Sequence, residues 1–308
     1  MLAASIHEHA GLGNQIWRYV CCRVFAENLG YEWGVSHPNW RGPFLNIDWG
    51  KEVKLNVEQD SDFIPTPGLE NYYKEHWEFV PETQGEVGTP DKNFTKLKDN
   101  TYINGVFQRM SYIEDHRDKI CSWLTYNETI RDYSSDDICV IQFCGGDYTT
   151  GHAMLSPEYY HNAMRHMRSN NPNIKFVIVT DDPNTARKYI PNVPVVGSAI
   201  SKEHDPLQKN IGWYYYPGGP VGIDYSILNT AKYAIISAST FAFWPVWTNK
   251  ELLNVIAPMY WFDWSRSNGW WRMQDGIVND EKWLWMHRNG DLYRSDTCIQ
   301  LRKEYYGN

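Results

Sequence analysis

Gly11-Leu12-Gly13-Asn14-Gln15-Ile16-Trp17-Arg18-Tyr19-Val20-Cys21-Cys22-Arg23-Val24-Phe25-Ala26-Glu27-Asn28-Leu29-Gly30 gives the first sign of how the chain folds. Gly11 to Gln15 reads as a glycine-rich turn after a short opening strand. From Ile16 onward the apolar residues pair as Ile16/Trp17, Val20/Cys21 and Val24/Phe25, followed by Leu29. That four-residue spacing is the stripe of a helix packed on a core. Gly30 is a fitting stop, and Tyr31-Glu32-Trp33-Gly34-Val35 resembles a second strand. Strand, turn, helix and strand make the βαβ unit of an α/β domain.

Outward from this unit the pattern fades and then returns. Residues 37–100 are rich in Pro, Gly, Asn and charge and read as loops around short elements. Order resumes with a strand near Thr101–Gln108 and a helix over about 111–124. A second α/β stretch begins near Asp137. Its strands are Ile138–Phe143, Ile174–Thr180, Val193–Val196 and Tyr233–Ser237. Helices start at Ser156-Pro157, Asp181-Asp182-Pro183, Asp224 and Ser239-Thr240-Phe241, where Ser, Asp and Pro are good first-turn residues. Strands alternating with helices predict parallel sheets. The tail from about 258 is dense in Trp and has no clear period.

The 308 residues amount to about two average domains. The reading is therefore an N-terminal α/β domain over 1–135, a second over 136–260, and a Trp-rich tail over 261–308 packing back on them. Net charge is −8, with no block of like charge, which disfavours nucleic-acid partners. Aromatic residues make up 15% of the chain, a hint of carbohydrate because rings stack on the C–H faces of sugars, and equally consistent with plain core packing. The six cysteines show no C-x-x-C or zinc spacing, which fits packed thiols in a reducing compartment. With no run of 18 apolar residues and no basic leader, no transmembrane segment or signal is expected, and the location expected is cytoplasmic. The sequons at Asn93 and Asn127 carry little weight in that setting.

In parallel α/β sheets, ligands bind beyond the carboxyl ends of strands, and helix N-termini there attract anions. Four turns qualify: Gly11–Gln15, Cys144–Asp147, Thr180–Asp182 and Ser237–Thr240. Each also has a structural reading, since glycines serve close packing and Asp182 or Ser239 can simply cap a helix. A dinucleotide fold would need a third glycine after Gly11-Leu12-Gly13, and Glu32 alone does not supply the rest of that fingerprint. His7-Glu8-His9 has i, i+2 spacing and no evident third ligand, so neither a metal nor a cofactor is expected. Residues alone reach an α/β enzyme with a nucleotide or phosphate ligand.

Five blocks in order resemble the α-1,2-fucosyltransferases of glycosyltransferase family 11. Gly11-Leu12-Gly13-Asn14-Gln15 is similar to that family's G-L-G-N-Q opening. Asn104 to Tyr112 resembles its G-aromatic-x-Q segment, and Gln142-Phe143-Cys144-Gly145-Gly146-Asp147-Tyr148 lies where the family has H-x-R-x-G-D-Y. Thr180-Asp181-Asp182 matches its S-D-D turn. Asp224 to Trp247 matches the block that ends here in Ser237-Ala238-Ser239-Thr240-Phe241.

The resemblance implies a GT-B-like arrangement, two Rossmann-like domains with parallel sheets facing across a cleft. It implies an inverting, metal-independent transfer of a sugar, L-fucose from GDP-fucose, to a glycan hydroxyl. Donor contacts would fall on Gly11, Gly13, Asn14, Gln15, Gln142, Cys144, Gly146, Asp182, Asp224, Ser237, Ser239, Thr240 and Phe241, with Asp224 accepting from the guanine edge. Asp147 and Glu8 would be candidate bases, with Asp48 a rival. One departure stands out: the motif arginine, which in the family binds the donor's β-phosphate, is Cys144. Losing such a charge-assisted contact costs about 3–4 kcal/mol in the transition state. Arg18, Arg109 or Lys209 would have to replace it, the donor would have to differ, or the chain binds without catalysing.

Overall fold

The structure, a computed structural model, describes residues 1–6, 10–54, 65, 68–75, 78–80, 85–87, 92–126, 133–135, 137–150, 154–199, 219–259 and 277–306. For 78–80, 85–87, 92–93, 147, 150, 219–220, 302 and 305–306 it describes the backbone alone. The chain divides into two compact units, Met1–Asn127 and Glu128–Asn308, a boundary somewhat ahead of residue 135.

The first unit holds the opening βαβ. Strand β1 (Leu2–Ser5) leads to helix α1 (Leu12–Leu29) and then to β2 (Trp33–Ser36). Strands β3 (Asn71–Lys74) and β6 (Thr101–Asn104) complete a sheet of order β2-β1-β6-β3, in which each of these pairs is parallel. A small antiparallel pair, β4 (Glu78–Val80) and β5 (Gly85–Val87), lies apart from it. The glycine turn begins its helix earlier than the spacing suggested. Leu12 already belongs to α1, and only Gly11 stands outside as the N-cap. Leu12 and Ile16 carry the i, i+4 stripe one turn further back. Gly30 ends the helix in the left-handed conformation at φ 71°, its N–H reaching back to the carbonyls of Ala26 and Glu27.

Helix α1 is buried on most of its circumference. Small residues let it approach the sheet: the Cys22 thiol lies 3.9 Å from the Leu2 carbonyl and 3.8 Å from that of Gly34. Burial pushes that thiol to about 12, so it is packing material, as the sequence suggested for the cysteines. The helix expected over 111–124 is instead two short 3-10 turns, Met110–Tyr112 and Glu114–His116, followed by α2 (Arg117–Trp123). Met110, Tyr112 and Ile113 are all buried.

The second unit is built on a seven-stranded sheet of order β13-β12-β11-β10-β7-β8-β9. Its strands are β7 (Ile138–Phe143), β8 (Lys175–Thr180), β9 (Val195–Val196), β10 (Tyr233–Ile236), β11 (Asn254–Pro258), β12 (Trp283–Met286) and β13 (Leu292–Arg294). All neighbours run parallel except β12 and β13. Helices α3 (Pro157–Asn170), α4 (Pro183–Tyr189), α5 (Gly219–Thr230), α6 (Thr240–Trp247) and α7 (Ser295–Tyr306) complete it. Helix α5 begins at Gly219, ahead of the expected Asp224. Residues 283–294, read from sequence as a tail, add two strands to this sheet. Trp244, Trp247, Trp283 and Trp285 are sealed in its core, which absorbs much of the aromatic excess into ordinary packing. No helix among the described residues is long and apolar enough to cross a membrane.

A buried ion pair fixes the loop after β6. Arg109 Nε lies 3.2 Å from Glu75 Oε1, with the two side chains 4% and 0% exposed. The other Glu75 oxygen accepts from Val106 N at 2.9 Å and Phe107 N at 2.8 Å. Those bonds hold Phe107 at φ +52°, a conformation non-glycine residues rarely adopt. Burial raises the Glu75 carboxyl, opposed by the Phe107 amide and by Arg109. Removing one partner strands a charge in the core. Glu75→Leu or Arg109→Met should therefore each cost about 3–5 kcal/mol in denaturant unfolding, and the double replacement less than their sum. Additive losses would contradict the pairing.

Candidate functional site

Parallel pairing lines up the loops of the second unit. In register, Phe143 pairs with Thr180, Gln142 with Ile236, and Val179 with Val196. The segments that follow, 144–147, 181–182, 197–198 and 237–239, therefore emerge side by side at one sheet edge. Three of the four sequence-picked turns, Cys144–Asp147, Thr180–Asp182 and Ser237–Thr240, meet here. The fourth, at Gly11, belongs to the first unit.

Ser237 ties the edge together. Its hydroxyl donates to Gln142 Oε1 and accepts from the Cys144 N–H at 3.0 Å, and its own N–H donates to the Gln142 carbonyl at 3.2 Å. The side-chain oxygen of Gln142 is thus used inside the protein. Tyr148 donates its phenol proton to the Ala238 carbonyl at 2.7 Å, a second tie between the β7 and β10 loops. Beneath them Tyr160 is fully buried, and burial raises its phenol well above the ordinary range.

The β8 loop closes on the same turn. Gly145 N–H donates to Asp181 Oδ1 at 2.8 Å, and the Cys144 thiol lies 4.0 Å from Asp181 Oδ2. Here the paired glycines have a packing reason. A Cβ on Gly145 would come within 2.6 Å of Asp182 Cβ, and one on Gly146 within 2.5 Å of Asp181 Oδ2. Asp182 caps α4, accepting from Thr185 N–H at 3.0 Å. Asp224, 8% exposed, accepts through Oδ1 from the Ser198 N–H at 2.7 Å and through Oδ2 from the Ser198 hydroxyl. Nothing in the sequence pattern marked Ser198. A side chain at Gly197 would collide with the Asp224 carboxylate, 2.2 Å from the Cβ position.

Ser239 is the N-cap of α6, and its side chain makes no capping bond to that helix. Phe241 stands edge-on to Tyr225, their centroids 6.5 Å apart. None of residues 144–149, 180–182, 197–199 or 237–241 is Lys, Arg or His, while Asp147, Asp181 and Asp182 among them, and Asp224 beside Ser198, are acidic. These described segments therefore bring no positive side chain to the strand ends.

In the first unit the motif residues are mostly committed. Gln15 is 0% exposed; its Nε2 donates to the Asn39 carbonyl at 2.9 Å and its Oε1 accepts from Arg41 N–H at 2.9 Å. Asn14 Oδ1 accepts from Gln108 Nε2 at 2.9 Å. Arg18, 8% exposed, points Nη1 to the Ser5 carbonyl at 3.5 Å. Arg109, a sequence candidate for the phosphate cation, is engaged by Glu75 instead. Gly13 is buried within α1, while Gly11 faces open space. Asp48 is exposed and accepts from Gly50 N–H at 3.0 Å. Glu8, with His7 and His9, lies outside the described residues, as does Lys209. Asp147 opens the short turn Asp147–Thr150, and its side chain lies outside the description.

No protein-family model matches the chain. An alpha-1,2-colitosyltransferase of Escherichia coli is 23% identical, the match covering 82% of this chain and 90% of the relative. The O-antigen biosynthesis glycosyltransferase WbnK of Escherichia coli is 24% identical over 54% of this chain, and the match spans 57% of its length. The fold is also similar to the fucosyltransferase NodZ from Bradyrhizobium, with a TM-score of 0.46 at 14% identity, covering 82% of this chain and 94% of that one.

Ser237→Ala removes the hydroxyl that accepts from the Cys144 N–H and leaves Gln142 Oε1 only the Ser237 N–H at 3.3 Å, so unit-two stability in denaturant should fall by about 1–3 kcal/mol. Ser239→Ala, which breaks no capping bond, should change it by less than about 0.5 kcal/mol. Equal losses in the two variants would show that Ser237 is not the tie.

Proposed function

We propose that the chain is an inverting, metal-independent glycosyltransferase. It moves L-fucose or a related sugar from a GDP-sugar to a glycan hydroxyl. The observation that carries this reading is the match to a colitosyltransferase over 82% of this chain, with three of its motif blocks falling on neighbouring strand ends of the second unit. The reading places the acceptor in the first unit and the donor in the second, and a cytoplasmic location belongs to it.

In this mechanism the donor diphosphate lies against the first-turn N–H groups of α6, with the hydroxyls of Ser239 and Thr240 beside it. A carboxylate takes the proton of the acceptor hydroxyl as its oxygen bonds to the anomeric carbon. The bond from that carbon to the diphosphate oxygen breaks on the opposite face, and the diphosphate leaves with the electron pair. Asp147, Glu8 and Asp48 are the carboxylates to test. With Arg109 engaged by Glu75, Arg18 is the described arginine to test as the charge that replaces the motif arginine.

The thiol of Cys144 and its acidic neighbours favour a second reading, a descendant that binds nucleotide or glycan without transfer. Titration calorimetry with GDP, UDP and ADP in EDTA, followed by incubation with GDP-fucose and the corresponding colitose donor, separates the two. Binding of GDP alone and transfer of either sugar are expected. A response to UDP only would overturn the GDP-sugar assignment. Cys144→Arg discriminates further: in a working transferase with another cation it should not raise turnover. A gain of at least about a hundredfold would mark a chain that had lost its phosphate arginine.

A further inference from the structure

Among the described tryptophans, Trp17, Trp123, Trp244, Trp247, Trp283 and Trp285 are buried, whereas Trp33, Trp40 and Trp49 stay half-exposed. These three gather around one place in the first unit. Tyr19 meets the rings of Trp33 and Trp49 edge-on, each at 5.8 Å, and Trp40 meets Trp49 edge-on at 5.0 Å. His37, exposed, lies flat on Trp49 with centroids 4.0 Å apart and planes 4° from parallel.

The cluster is held firmly. Val35 N–H donates to the Trp49 carbonyl at 3.1 Å, and a bridge between Gly34 and Gly50 fixes that segment along the outer edge of β2. The buried Gln15 amide binds the backbone on both sides of Trp40, at Asn39 and at Arg41. Gly42 gives Trp40 its seat, since a Cβ there would come within 2.7 Å of the indole and 2.9 Å of Leu12. Rings fixed this well, yet left partly open, suit a ligand more than a core.

We propose that His37, Trp40 and Trp49 form a stacking shelf for a pyranose ring of the glycan acceptor. As an acceptor site it rests on the transferase reading above; as a saccharide site it stands by itself. The outer face of His37, whose inner face rests on Trp49, meets the C–H face of a sugar, Trp40 stands steeply beside it, and the exposed Asp48 carboxylate next to Trp49 accepts from the sugar's hydroxyls. The shelf begins where β2 ends, at the carboxyl edge of a parallel sheet, the usual place for ligands in such folds. It also gives Gln15 a role: this motif residue positions Trp40.

The test applies wild-type protein, His37→Ala, Trp40→Ala and Trp40→Phe to a printed array of bacterial and animal oligosaccharides, with thermal midpoints measured alongside. Wild-type binding should weaken about tenfold in His37→Ala and Trp40→Ala, the loss expected for one aromatic anchor, and survive in Trp40→Phe. His37 is exposed, so that variant carries the test if Trp40→Ala does not fold. Undiminished binding in His37→Ala, absence of glycan binding by the wild type, or GDP displacing the bound glycan from the shelf would overturn the proposal. In transfer assays the acceptor KM should rise in the variants while kcat and the donor KM hold. Transfer with an unmoved acceptor KM overturns the shelf and leaves the transferase reading intact. Glycan capture through these residues without transfer from any nucleotide sugar keeps the shelf and overturns the transferase.

Discussion

The parallel pairing of β7 with β10 is the constraint on which the second unit depends. With Tyr233 opposite Cys139 and Ile236 opposite Gln142, the loop leaving β7 must pass beside the loop leaving β10. Ser237 then serves both, and the β8 loop joins through Asp181. No single loop makes the candidate site; it comes from their alignment, because every strand of the parallel core delivers its carboxyl end to the same edge. The same packing fills the turn with an internal carboxylate: Asp181 holds the Gly145 amide, and none of residues 144–149, 181–182 or 237–241 is Lys, Arg or His.

Burial decides which motif residues face a ligand and which serve the fold. A buried polar group has to find partners inside the protein. Gln15 finds the backbone around Trp40, Arg109 finds Glu75, and Asp224 finds Ser198. A motif read as a set of ligand contacts is thus partly a set of braces. Its effect on a substrate then runs through what each brace positions.

Strong periodicity made some elements legible in the sequence. Helix α1, strands β7 and β8, and the α4 start at Asp182-Pro183 follow apolar spacing and capping chemistry closely. Other elements had no such signal. Strand β3 is a sheet edge of alternating exposure, Asn71-Tyr72-Tyr73-Lys74, within a stretch too rich in polar residues to stand out. The segment around His37, Trp40 and Trp49 is held by ring contacts and a distant glutamine, and neither leaves a period. Strands β12 and β13 did leave a sign: the apolar run Trp283-Leu284-Trp285-Met286, followed by a turn containing Asn289-Gly290. The density of tryptophan hid it. At the site, the edge residues were legible because strand ends can be read from sequence. Ser198 and the engagement of Arg109 were not, because both depend on contacts between distant segments.

The central claim is that the loops after β7, β8 and β10 form a nucleoside-diphosphate site. Peptide-resolved amide hydrogen exchange, with and without GDP, tests it most directly. The account predicts slowed exchange in peptides covering 143–148 and 237–243, with little change at the start of α1. Protection at residues 11–16 while both second-unit segments exchange at their unliganded rates would contradict it.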